Sequence, residues 1–253
     1  MNPPQNILIS RRHAAVWLGT AVLCGLASIP AWAETVKGNG RRIAQARTAS
    51  GFTGVALALP GQVELRIGAT EAVTVEADEN LMPLIETRVK DGLLQIRPVR
   101  NGLDLQSPDI KFIVQARQID RLQIGGSGSI MADALRSARL QLEIGGSGSI
   151  AVNKAESEQV EVSIGGSGAV KITGVTRKLV VAIGGSGDVG AGGLQAEDVN
   201  VSVGGSGGAT VWARQALSVS LAGSGDVSYY GDPKVKQAVV GSGRARRIGA
   251  SPR

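Results

Sequence analysis

Residues 140–150 read LQLEIGGSGSI, and the chain returns to this pattern as VEVSIGGSGAV at 160–170, LVVAIGGSGDV at 179–189, VNVSVGGSGGA at 199–209 and LSVSLAGSGDV at 217–227. The triplet at its centre occurs seven times: Gly126-Ser127-Gly128, Gly146-Ser147-Gly148, Gly166-Ser167-Gly168, Gly185-Ser186-Gly187, Gly205-Ser206-Gly207, Gly223-Ser224-Gly225 and Gly241-Ser242-Gly243. Successive serines are 20, 20, 19, 20, 18 and 18 residues apart. Self-similarity at a fixed period of this size marks a repeat architecture.

Apolar side chains alternate with polar ones ahead of each triplet, as in Leu140, Leu142, Ile144 and Val160, Val162, Ile164, with Gln141, Glu143, Glu161 and Ser163 between them. Period-two alternation is the signature of a half-buried strand. A shorter alternation follows each triplet, for example Ile150 and Val152, or Val170 and Ile172. One such unit cannot cover its own apolar face, whereas stacked units lay Ile on Ile and Val on Val. A coil of 18–20 residues is too short for a crossover helix. The prediction is an all-β fold: a right-handed parallel β-helix of about seven coils at a spacing of roughly 4.8 Å. The glycines are read as corners that need positive φ and have no room for a Cβ. The serines then form a column, either a hydroxyl ladder bonded to the corner backbone or a hydroxyl-lined binding strip.

Residues 51–118 lack the triplet but remain strand-like, with alternation at 55–59, 63–67 and 73–77, and a hairpin at 85–97 turning on Asp91-Gly92. They are expected to form a β-rich cap on the N-terminal end of the 119–243 solenoid, since an open end exposes unpaired strand edges. The stretch VELRIGATEAVTVEADENLMPLIETRVKDGLLQIRP at 63–98, followed by the GGSGSI copies, resembles the bacterial family described as putative auto-transporter adhesin, head GIN domain. The resemblance covers roughly residues 51–243. It implies an exported all-β domain of β-helix type that acts as an adhesin-like binding head, and it brings no catalytic residue. Ten residues follow Gly243, fewer than a translocator barrel needs.

Residues 1–33 read as a signal peptide: Arg11 and Arg12, an apolar run over 14–29, and Ala31-Trp32-Ala33 as the cleavage site. Cleavage after Ala33 sends the chain to the periplasm or the cell surface. It also removes Cys24 and His13, the one cysteine and the one histidine of the chain. No disulfide, thiol chemistry, histidine base or His/Cys zinc site is then expected, and neither is a cofactor or a stable membrane span.

Charge is distributed unevenly. Residues 34–50 are net +3, residues 51–232 are net −5, and residues 233–253 hold six basic side chains and no acidic one. The two ends are expected to be solvated segments, a basic flexible linker at 34–50 and a basic tail at 244–253 in which Arg244, Arg246 and Arg247 guard the last strand edge. Aromatic side chains are not interleaved with the basic ones, so a nucleic-acid partner is not expected.

Three patterns in the sequence bear on catalysis or metal binding. Gly204-Gly205-Ser206-Gly207-Gly208 matches a nucleophile elbow, but the chain beyond residue 33 has no histidine to activate a serine; Lys154 and Lys171 are the available lysine partners. Asp188 and Asp226 follow GGSG and GSG as in calcium-binding β-roll repeats, one position early. Glu143 and Glu161 are the one carboxylate pair that adjacent coils could bring together, as a polysaccharide lyase or hydrolase on a β-helix would need. Against that enzyme stands a non-enzymatic binding module for a glycan, an envelope component or a protein partner. Trp212 and Tyr230, expected to point outward, are its candidate contacts, and Tyr229 is expected inward.

Overall fold

The computed structural model describes residues 34–107 and 109–252; the signal peptide expected over residues 1–33 lies outside them. The strands in chain order are β1 (Glu34–Lys37), β2 (Arg42–Arg47), β3 (Gly54–Leu57), β4 (Gln62–Ile67), β5 (Ala72–Asp78), β6 (Ile85–Lys90), β7 (Leu93–Pro98), β8 (Leu103–Gln106), β9 (Lys111–Ala116) and β10 (Arg121–Ile124). Five long strands carry the repeats: β11 (Ser129–Ile144), β12 (Ser149–Ile164), β13 (Ala169–Ile183), β14 (Asp188–Gly205) and β15 (Gly208–Gly223). The series closes with β16 (Asp226–Tyr230), β17 (Lys234–Gly241) and β18 (Arg244–Gly249). Among the described residues no helix is long and apolar enough to cross a membrane.

The chain is nearly all β and forms a β-solenoid of about six turns. Each strand from β11 to β15 occupies almost a whole coil, from one Gly-Ser-Gly corner to the next, and pairs in parallel with its neighbours. Seven corners bound six complete turns, which is why counting triplets gives one more than counting turns.

The repeat register holds in three dimensions. Leu140, Val160, Leu179, Val199 and Leu217 are successive partners in one column, and each is buried. Burial of an aliphatic side chain of this size contributes about 1.5–3 kcal/mol, so columns of Leu, Ile and Val supply a core where aromatics are scarce. Coils of unequal length stay in register because the extra residues are taken up away from the corner. Pairing slips between Val152 and Ala155, between Lys171 and Thr173, and between Ala191 and Gln195. Gly174 sits at the first slip with φ +127°, where a Cβ would stand 2.1 Å from the Ala155 carbonyl oxygen.

At the corners, crowding matters more than φ. A Cβ on Gly166 would lie 2.3 Å from the Gly146 carbonyl oxygen, and one on Gly168 would lie 2.5 Å from Ile144 Cγ2. Positive φ, expected at every corner, is confined among the triplets to Gly205, Gly223 and Gly241. Elsewhere the stacked coil alone excludes a side chain.

The N-terminal region is more than a lid. β3 and β4 make a coil of their own, turning at Leu59-Pro60-Gly61, and this coil lies against β10 and the start of β11. Its other side carries β7 and β9. The chain therefore passes from β9 to β10 across a level that β3 and β4 already occupy. Antiparallel β5 and β2 then lie outside β9, and the β6–β7 hairpin turns at Asp91 and Gly92, with φ of 51° and 73° as the Asp-Gly pair predicts.

Both charged ends depart from expectation. Residues 34–50, expected as a flexible linker, contain β1 paired to β8 and β2 paired to β5. The buried Asp78 carboxylate accepts the Gly40 N–H at 2.8 Å and the Asn80 side-chain oxygen accepts the Asn39 N–H at 3.0 Å, pinning the turn between them. Residues 244–249, expected as tail, form β18 alongside β16. Unpaired backbone groups on the previous coil reward a strand there despite its charge.

Candidate ligand-binding groove

Outward residues just after the corners form two rows. Ser149, Ala169, Asp188 and Gly208 are partners across four coils, as are Ala151, Lys171, Gly190 and Thr210. Small side chains, together with Gly192 and Gly193 where β14 bulges, leave a concave surface on this face. The result is a shallow groove of about 510 Å³ with a mainly apolar lining, bounded by Thr173, Tyr230 and Pro252. Lys171 and Asp188 place opposite charges in its wall.

Tyr230 is seated by two glycines. A Cβ on Gly192 would come within 3.2 Å of its ring, and one on Gly249 within 3.3 Å. Tyr230 is thus half-buried with its ring against the stack, where the sequence pattern made it a free outward side chain. Trp212 is its partner in the preceding coil and is also half-buried, but it lies outside the groove lining, near Gly231. Tyr229 is half-buried and packs on the core.

The corner serines Ser127, Ser147, Ser167, Ser186, Ser206, Ser224 and Ser242 are exposed. No hydrogen bond from their hydroxyls to the protein occurs among the described residues. The expected bonded ladder is carried instead by backbone, the Ser167 N–H donating to the Gly146 carbonyl at 3.1 Å and its counterparts doing likewise. A hydroxyl ladder does exist, but at the far turn, where none was expected. Ser137 donates to the Arg139 carbonyl at 3.0 Å, Ser157 to Gln159 at 2.8 Å and Thr176 to Lys178 at 3.2 Å. Serine or threonine two residues ahead of a polar residue at a constant repeat position is the signal that could have found it.

The candidate carboxylates do not meet. Glu143 stands opposite Ser163, and Glu161 opposite Gln141. Gln123 donates to Glu143 at 2.8 Å, Gln141 donates to Glu161 at 3.1 Å, and Arg139 lies 3.4 Å from Glu161. Each acid is thus tied to an amide or a guanidinium, where a glycosidase pair faces an open cleft. Asp188 accepts the Gly208 N–H at 3.1 Å and Asp226 accepts the Arg244 N–H at 2.9 Å, so both bind the backbone of the next coil. Lys154 is paired with Glu156 at 3.0 Å. The shared pull of Lys154 and Arg136 holds the Glu156 carboxyl below the usual carboxylate range, and Lys111 with Arg66 does the same to Glu64.

The fold is a parallel β-solenoid of about six turns bearing a shallow lateral groove. Residues 51–233 match the family model described as putative auto-transporter adhesin, head GIN domain, and the chain belongs to that family. A search of curated proteins gave no match. The fold is shared with crystal structures of a putative adhesin from Bacteroides fragilis (20% identity, TM-score 0.79, covering 84% of this chain and 100% of that one) and of a putative lipid binding protein from Parabacteroides distasonis (23% identity, TM-score 0.71, 85% and 100%). A putative adhesin from Parabacteroides merdae is similar at 21% identity and TM-score 0.68, with coverage of 85% and 100%.

Proposed function

We propose that this protein is an exported, non-enzymatic binding module of the cell envelope that holds a glycan in the groove beside Tyr230. The observation that carries the reading is the groove itself: an aromatic ring fixed on a rigid sheet, small residues around it, and Lys171, Asp188 and Thr173 at hand for hydroxyl groups. Binding sites of this kind are concave, mostly apolar and supplied with a few placed polar groups. A tyrosine ring offers an apolar face to a sugar and a hydroxyl to its edge. A parallel stack in register presents that surface without an ordering cost at the moment of binding. Family membership supports the binding role in general terms; the glycan is inferred from the groove chemistry.

The test is a glycan array probed with the purified protein, followed by mass spectrometry of every glycan retained. Intact ligand, lost on Tyr230→Ala, is the expected result. Shortened or unsaturated product would make the protein a carbohydrate-active enzyme, and an empty array would overturn the glycan reading.

A further inference from the structure

The two ends of the solenoid are finished differently. At the N-terminal end β5 runs antiparallel to β9 and β6 antiparallel to β7, β2 pairs with the outer side of β5, and Phe52, Leu81, Met82 and Phe112 are buried in this region. At the other end no strand covers the last coil among the described residues. β17 pairs with β15 alone and β18 with β16 alone, and among the described residues nothing pairs with their outer sides. An edge strand of this kind carries a row of unpaired N–H and C=O groups.

The last coil also presents core positions to solvent. Leu217, Val219 and Leu221 are buried, and their partners in β17 are Val235, Gln237 and Val239. Val235 is 39% exposed and Val239 40%, half-covered because among the described residues no further coil lies over them. The charge carried by the two strands has one sign, Lys234 and Lys236 on β17 with Arg244, Arg246 and Arg247 on β18, against the single acid Asp232 just ahead of β17. Two such ends would repel each other, which disfavours a second copy docked end to end, and the opposite end of the solenoid is already covered.

We propose that the open coil is a docking edge for an acidic polypeptide segment, which adds to β17 as a further parallel strand. Main-chain bonds along the edge would supply affinity, as in other cases of strand addition. Alternate apolar side chains would cover Val235 and Val239, an acidic one would face Lys236, and further acidic ones would lie near Lys234. The chain contains a segment with this character: residues 156–164, ESEQVEVSI, hold three glutamates, no basic residue and the inward alternation of a coil. Following the partners from coil to coil, Val160 belongs to the column of Val235, and Glu161 to that of Lys236.

The probe is therefore a labelled synthetic peptide ESEQVEVSI, titrated into the full chain by fluorescence anisotropy, with amide hydrogen exchange read along β17. Saturable binding with slowed exchange at residues 234–241 is expected. Affinity should fall about tenfold or more for Lys234→Glu/Lys236→Glu and for a scrambled peptide of equal charge that loses the alternation. Equal binding of the scrambled peptide would reduce the effect to bulk charge and overturn the proposal. So would the absence of saturable binding, retention on phosphatidylglycerol vesicles without peptide binding, or self-association through this end in sedimentation.

Discussion

A glycine is required where a coil passes directly over another, and the first glycine of each GGSG is not such a place. A Cβ on Gly165 would lie 3.9 Å from the Ile144 carbonyl oxygen, an ordinary contact, whereas one on Gly166 would overlap the Gly146 carbonyl at 2.3 Å. Gly166→Val should cost at least about 3 kcal/mol by overpacking in mid-stack, and Gly165→Ala should cost less than about 1 kcal/mol. Paired chemical denaturation of the two variants checks this, and equal losses would remove the crowding explanation. The positions of these glycines are legible in the sequence; of the two reasons expected for them, crowding by the next coil holds, while positive φ holds among the triplets at Gly205, Gly223 and Gly241 alone. Repetition marks a corner, while only the distance to the next coil tells crowding from φ.

Coils are joined at their surface by charge as well as by backbone. Arg136 and Glu156 are partners in adjacent strands, and Lys111 of β9 reaches Glu64 of β4 at 2.8 Å. Both glutamates have carboxyl groups held below their ordinary range, Glu156 by Lys154 and Arg136 and Glu64 by Lys111 and Arg66. A carboxylate lowered in the folded state contributes stability that is complete above its unfolded pKa, about 4.3, and is lost as pH falls through the folded value. Melting temperature should therefore decline on acidification below the ordinary carboxylate range, and the decline should be shallower in Glu64→Gln/Glu156→Gln; since the pairs are solvated, the difference should shrink in high salt. Parallel melts over a pH series check it, and identical slopes would show that these pairs carry no such linkage.

The strands of the repeat could be read from their alternation, because in a stack each residue's neighbour is its own equivalent one period on. The same logic fails for β1, β2 and β18. Their partners lie at no repeat distance, Glu34 opposite Leu103 and Arg42 opposite Asp78, and their side chains are mostly exposed, so no burial pattern marks them. The coil of β3 and β4 escaped for a related reason. Its strands were visible as alternation, but Pro60-Gly61 stands in place of the triplet, and nothing local says that residue 55 lies beside residue 122.

At the scale of the solenoid, a stack covered by antiparallel strands at one end and, among the described residues, uncovered at the other has two surfaces to offer, its lateral groove and its last coil. Of the groove lining, Tyr230 alone is expected from the sequence as a ligand contact, Lys171 and Asp188 are marked there for other chemistry, and Trp212, the second expected contact, lies outside the lining. The groove depends on the bulge that carries Gly192 and Gly193, and bulge positions are set by packing between coils of unequal length, which no single coil records. Gly190 opens onto it with a Cβ position no nearer than 3.7 Å to the Val170 carbonyl oxygen, so a larger side chain there can enter the groove without pressing on the backbone.

The most direct measurement is a calorimetric titration of the glycan retained on the array into wild type and Gly190→Phe, with thermal melts of both. A loss of about tenfold or more in affinity at an unchanged melting temperature is expected if the ligand lies in the groove beside Tyr230. Full affinity in the filled variant would place binding elsewhere and contradict the functional reading.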